Sequence, residues 1–102
     1  MDEFVIRALY VRTGEAPERK LLVNTEENLQ QLVHGKIDSF GIDDEFCIIC
    51  NAFRDSLAMP VNRTIYGTTV RGEFVVCKFN AKGLLVPMEE EDLEYYEKML
   101  AQ

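Results

Sequence analysis

Glu45-Phe46-Cys47-Ile48-Ile49-Cys50-Asn51 is the stretch on which the fold turns. Phe46 to Cys50 is a continuous apolar run, not an alternating one. It is far shorter than the ~18 residues a membrane-spanning helix needs. It therefore predicts a strand over residues 45–51 that sits centrally in a sheet and is covered on both faces. A sheet covered twice needs two layers around it, and the rest of the chain should supply them.

Upstream, residues 3–11 read as a strand. Phe4, Ile6, Ala8 and Tyr10 fall on one face, and Val5, Leu9 and Val11 on the other. Arg7 interrupts the second face, which predicts that it is the less buried one. The turn cluster Thr13-Gly14-Glu15-Ala16-Pro17 joins this strand to a short partner over residues 20–23, giving a hairpin. A helix start follows. Asn24 with Glu27 fits a capping box, and Thr25 with Asn28 is the other register. Leu29, Leu32 and Val33 form a narrow apolar stripe, and Gly35 is placed to end the helix in a left-handed conformation. Residues 36–40 read as a strand and Gly41-Ile42-Asp43-Asp44 as a turn.

Downstream, residues 51–56 form a loop or tight hairpin. Pro60 has no amide donor, so Pro60-Val61-Asn62-Arg63 is excluded from a central strand. Residues 70–79 read as one long strand through Phe74, Val75, Val76, Cys77 and Phe79. Asn80-Ala81-Lys82-Gly83 is a hairpin turn, and Leu84-Leu85-Val86 is the return strand, stopped by Pro87. A C-terminal helix begins near Met88 or Glu89 and runs to about Leu100. Leu93, Tyr96 and Leu100 form its stripe, with Met99 and Tyr95 beside it. The fold class is α+β: a single domain over residues 1–102, with a mostly antiparallel sheet, one short internal helix and one acidic C-terminal helix.

Composition narrows the function classes. The chain has 102 residues, 47% of them hydrophobic and 10% aromatic, as ordered globular domains do. Its net charge is -7, so binding of phosphate backbones by the surface as a whole is not expected. The charge is uneven. From Glu89 onward six carboxylates face one lysine, a net of -5, which leaves -2 for the remainder. One reading is a solvated helix start whose acids favour the dipole. The other is an acidic edge that competes with nucleic acid for a basic groove on another protein. Met1-Asp2-Glu3 carries acid where a secretory signal carries base, so the expected location is the cytoplasm.

No catalytic constellation is visible. Cys47 and Cys50 match a C-x-x-C string, but residues three apart on a strand point to opposite faces and cannot share a metal or a disulfide. Together with Cys77 they read as free, buried thiols. His34 precedes Gly35 at a helix end, where the dipole stabilises a cation. Asp43-Asp44-Glu45 lacks the ligand spacing of a calcium loop and reads as turn chemistry. Neither a metal nor a cofactor is expected, and no enzymatic activity. Asn62-Arg63 sets a planar cationic fork beside a rigid turn, suited either to gripping an anion or to bonding within its own chain.

The hairpin start, Leu29-x-x-Leu32-Val33-x-Gly35, the apolar strand ending in Cys50-Asn51, Met59-Pro60-Val61-Asn62-Arg63, Gly67 and Gly72-Glu73-Phe74-Val75-Val76, closed by an acidic helix with tyrosines, together resemble a family of small proteins called domain of unknown function 3846. The resemblance implies a setting on phages, plasmids and conjugative elements of Gram-positive bacteria. It brings no catalytic residues. By size, charge and that setting the chain is similar to phage anti-CRISPR proteins. The expectation is a non-enzymatic inhibitor acting in the bacterial host cytoplasm. It would bind a nucleic-acid-binding nuclease, such as a Cas9-type nuclease, through Glu90, Glu91, Glu94 and Glu97, and block guide RNA or DNA. It would bind neither nucleic acid directly nor a membrane. The alternative is a small-ligand or regulatory module that uses Asn62 and Arg63.

Overall fold

The computed structural model describes residues 4–101. The chain runs β1 (Val5–Val11), β2 (Glu18–Val23), α1 (Glu26–Val33), β3 (Ile37–Gly41), β4 (Phe46–Asn51), β5 (Val61–Ile65), β6 (Thr68–Arg71), β7 (Phe74–Phe79), β8 (Leu85–Val86) and α2 (Glu90–Met99). Five strands lie in the order β2-β1-β7-β4-β3, and β8 adds to β7. Every pairing is antiparallel. The architecture is α+β, as the pattern of strands and helices requires. The start of the expected first strand, at Glu3, lies outside the described residues.

The apolar run does what its continuity predicts. β4 is flanked by β7 and β3, and its side chains alternate between two cores. Phe46, Ile48 and Cys50 point into one, with Leu9, Val11, Phe74, Val76, Leu93, Tyr96 and Leu100. Ile49 points into the other, with Ile6, Ala8, Tyr10, Leu29, Val75 and Cys77. Cys47 and Cys50 accordingly lie on opposite sides of the sheet, and all three cysteines are free thiols. α1 closes one face. The Tyr10 hydroxyl donates to Leu32 O over 2.7 Å, and Asn51 Nδ2 donates to Val33 O over 3.0 Å, fixing the helix end to the sheet. α2 closes the other face.

Several local expectations are corrected. Of the two capping registers, Thr25 is the one used: its side chain accepts from Asn28 N. α1 ends on His34, not Gly35, in the left-handed conformation (φ 66°, ψ 35°). There the His34 ring lies 3.0 Å from the Glu73 carboxylate. The face of β1 that carries Arg7 is the less buried one, as expected: Val5 and Arg7 are exposed there, while Ile6, Ala8 and Tyr10 on the other face are all buried. Leu9 and Val11 on the Arg7 face are nonetheless fully buried under α2, and Arg7 lies at the helix margin, 4.0 Å from Glu90.

The long strand over residues 70–79 is two strands. Gly72, at φ 76°, turns the chain between β6 and β7, and a Cβ there would lie 2.6 Å from the Met59 sulfur. Gly72 N donates to Pro60 O and Asn62 Nδ2 donates to Gly72 O, both over 2.9 Å, so the break is held from outside. β6 then pairs with β5 in a separate two-stranded sheet. Val61-Asn62-Arg63 is thus a strand, but it stays out of the main sheet, as Pro60 requires. Ile65 and Val70 from this hairpin join the α2-side core.

Because Ile48 and Ile49 plug opposite cores, truncating either should be felt. Ile48→Ala and Ile49→Ala are each expected to lower unfolding free energy by about 2–5 kcal/mol, read from urea unfolding. A change below about 0.5 kcal/mol for either would place that face on the surface.

Candidate functional site

The six residues singled out from the sequence fall into two places with different chemistry. Asn62 and Arg63 are inside. Arg63 is 9% exposed although it carries a full charge. Its Nε donates to Leu100 O over 2.8 Å, its Nη1 to Asn62 Oδ1 over 2.6 Å and to Asn62 O over 3.2 Å, and its Nη2 to Glu15 O. Asn62 Nδ2 donates to Val11 O as well as to Gly72 O. The fork therefore ties together the β1–β2 loop, β5 and the end of α2 through their carbonyls. Taking a guanidinium out of water disfavours its charged form, and burial lowers the Arg63 pKa.

Glu90, Glu91, Glu94 and Glu97 lie on α2, and the helix divides them. Arg19, on β2, reaches both Glu90 (3.0 and 2.8 Å) and Glu97 (2.9 and 2.8 Å). These are paired, fork-shaped contacts, and the Arg19 hydrogen bonds pull the Glu97 carboxyl below its usual range. Glu91 and Glu94 have no ion-pair or hydrogen-bond partner among the described residues. They line an open groove of about 590 Å³ with Tyr95, Lys98 and Met99. Tyr95 is 55% exposed, and its hydroxyl lies 3.1 Å from that of Tyr66, which is 58% exposed. Tyr66 occupies the tip of the β5–β6 hairpin at φ 47°, a conformation bulky residues rarely adopt.

The fold also enlarges the acidic surface. The Tyr96 hydroxyl donates to Asp43 Oδ2 over 2.7 Å, so the turn Asp43-Asp44-Glu45 is drawn beside α2. Asp43 Oδ1 accepts from Glu45 N and Phe46 N and shapes that turn as expected. Burial, with the Asp43 hydrogen bond adding to it, raises the Tyr96 pKa. Lys78 joins the two acidic segments: its Nζ lies 3.1 Å from Asp92 Oδ2, and that bond, with Glu89 and Glu45 nearby, raises its pKa. Two acidic stretches remote in sequence thus meet on one side. Sequence reasoning missed Arg19 and Tyr66, and it read Asp43 for its turn but not for its contact with Tyr96. Tyr66-Gly67 is a two-residue turn signal of the kind that could have found the hairpin. Nothing in the sequence pairs Arg19 with a helix that begins 71 positions later.

No three His, Cys, Asp or Glu side chains among the described residues are grouped to hold a metal ion. The thiols are quiet: burial pushes Cys47 up to about 11 and raises Cys50 and Cys77 as well.

A family model described as domain of unknown function (DUF3846) matches residues 6–101, nearly the whole chain. The chain belongs to the DUF3846 family. No curated protein and no solved structure matches it. In this DUF3846 protein the matched span runs from β1 to the end of α2 and includes both the Arg63 node and the groove on α2.

Two predictions test this division. Arg63→Ala leaves the carbonyls of Leu100 and Glu15 without their donor and should lower stability by about 3 kcal/mol. Arg63→Lys should recover less than half of that, because an ammonium cannot reproduce the fork. Equal stability of all three proteins in guanidinium unfolding would remove the node's structural role. Second, Cys47, Cys50 and Cys77 should alkylate with iodoacetamide at pH 8 far more slowly in the folded protein than in urea. Prompt labelling of the folded protein would contradict the burial argument.

Proposed function

We propose that this DUF3846 protein is a non-enzymatic inhibitor that uses the outer face of α2 to occupy a Lys/Arg-lined nucleic-acid channel of a host-defence nuclease. The nuclease would be of the Cas9 type, met in the bacterial cytoplasm. One observation carries the reading: Glu91 and Glu94 keep unneutralised carboxylates beside an exposed tyrosine pair, whereas Glu90 and Glu97 are already satisfied by Arg19. Free carboxylates on a helix can meet the cations that otherwise hold phosphates, and a channel that grips RNA by its backbone is open to such competition. Tyrosines beside them supply rigid contact area and a face for guanidinium groups. The acidic turn at Asp43 to Glu45 adds to the field that would steer association. The setting on mobile elements that the family resemblance implies is consistent with a target in host defence. The alternative of ligand binding at Asn62 and Arg63 draws no support from the geometry, since both side chains are turned onto carbonyls of their own chain.

The division among the four glutamates gives the test. Glu91→Gln with Glu94→Gln should weaken binding to a Cas9-type nuclease by roughly tenfold or more, about 1.4 kcal/mol, and flatten its salt dependence. Glu90→Gln with Glu97→Gln breaks only exposed pairs and should alter stability by ~1 kcal/mol or less, with binding little changed. Guide RNA or target DNA should compete with the protein. Absence of binding to the nuclease, loaded or unloaded, overturns the proposal, and so does binding indifferent to Glu91 and Glu94.

A further inference from the structure

Cys47 and Cys77 stand directly opposite each other on the neighbouring strands β4 and β7. Both thiols lie on the α1 side of the sheet, Cys77 within that core and Cys47 packed at its margin. The ladder phase fixes their spacing. Phe79 N donates to Glu45 O over 2.9 Å, so residues 45 and 79 are a hydrogen-bonded pair, and so, two positions along, are residues 47 and 77. Such pairs hold their Cα atoms about 5.5 Å apart, a separation common in disulfides. Their Cβ atoms lie wider than a disulfide favours, at roughly 5.5 Å against about 4 Å. A bond between them is therefore reached by a small inward shift, and that shift makes it readily reducible.

The pair is unequal. Cys77 is fully buried and Cys47 is not. On its other side Cys47 faces Gly41 of the edge strand β3, which has no side chain to cover it. A Cβ built on Gly41 would meet nothing nearer than Asp43 O at 3.9 Å, so that approach to Cys47 is open. Cys50 lies in the opposite core and cannot compete. We infer that Cys47 and Cys77 form a redox pair, in which a peroxide oxidises Cys47 and a disulfide then closes onto Cys77. First the Cys47 sulfur attacks one peroxide oxygen, the O–O bond breaks, and Cys47 becomes a sulfenic acid with release of water. Then the Cys77 sulfur attacks the Cys47 sulfur, the S–O bond breaks, and the hydroxyl leaves with the Cys77 proton as a second water. Two thiols and one peroxide give one disulfide and two waters. The product carries no charge, which suits a site where burial raises the pKa of both thiols. The same burial keeps thiolate scarce, so closure is slow. Hydrogen peroxide is hardly larger than water and enters where iodoacetamide is held back. The disulfide joins two central strands and encloses the β5–β6 hairpin in its loop. This inference is independent of the reading of α2.

The test is a thiol map of the folded full chain. The protein is held overnight with excess hydrogen peroxide in native buffer, its remaining thiols are blocked with N-ethylmaleimide in urea, and it is digested for mass spectrometry. The expected product is a linked peptide pair joining Cys47 to Cys77, lighter by ~2 Da for the two hydrogens lost, with Cys50 recovered as the blocked thiol. Dithiothreitol should restore both thiols. Cys50→Ser should form the same bond as wild type. Cys47→Ser should leave Cys77 a free thiol, because the buried partner alone is out of reach. Circular dichroism spectra matching wild type confirm that both variants are folded, and the wild-type map decides the matter if one is not. Oxidation of Cys47 onward to a sulfinic acid with Cys77 still a thiol overturns the inference. A bond to Cys50 in the folded protein, or three unchanged thiols, does so too.

Discussion

β4 and β7 carry apolar side chains on both faces, and water is kept from both only because α1 closes one face while α2 and the β5–β6 hairpin close the other. Everything else is arranged around that requirement. A helix as short as α1 is not stable alone, and its Leu29 and Val33 are buried only against the sheet. α2 must lie with Leu93 and Tyr96 inward, which leaves its acidic residues no choice but the outer side and the margins. The position of the acidic face is thus a consequence of core packing, not a separate feature.

The Arg63 node solves a related difficulty. The C-terminal end of α2, the β1–β2 loop and the start of β5 come together with carbonyls that face inward. One guanidinium, with its donors in a fixed fork, serves all three, and Asn62 serves Val11 and Gly72 beside it. Burying a cation there is unfavourable in itself, and the carbonyl oxygens offset it. The same fork that could have gripped a ligand's anion is spent on the fold.

On the outside, the same helix presents two kinds of carboxylate. Those at the margin toward β2 are held by Arg19, and those on the open side are not. The groove with Glu91, Glu94 and Tyr95 lies on that open side.

Much of this was legible in the residues. The continuity of Phe46 to Cys50 dictates a strand buried twice, and the period of Leu93, Tyr96 and Leu100 dictates an amphipathic helix, because each pattern reflects local geometry alone. Pro60 excludes a central strand for a local reason as well, the missing amide. Cys47 and Cys50 are separated by the pleat wherever the strand lies. The break at Gly72, the hairpin through Tyr66, the cap at His34 and the internal use of Arg63 were decided by contacts between segments far apart in the chain: Met59 and Pro60 against Gly72, Glu73 against His34, Leu100 and Glu15 against Arg63. The sequence shows that four glutamates lie on one helix. Only the packing of that helix across β1 brings Arg19 to two of them and leaves the other two facing outward, because which charges are neutralised depends on what the sheet carries to that side.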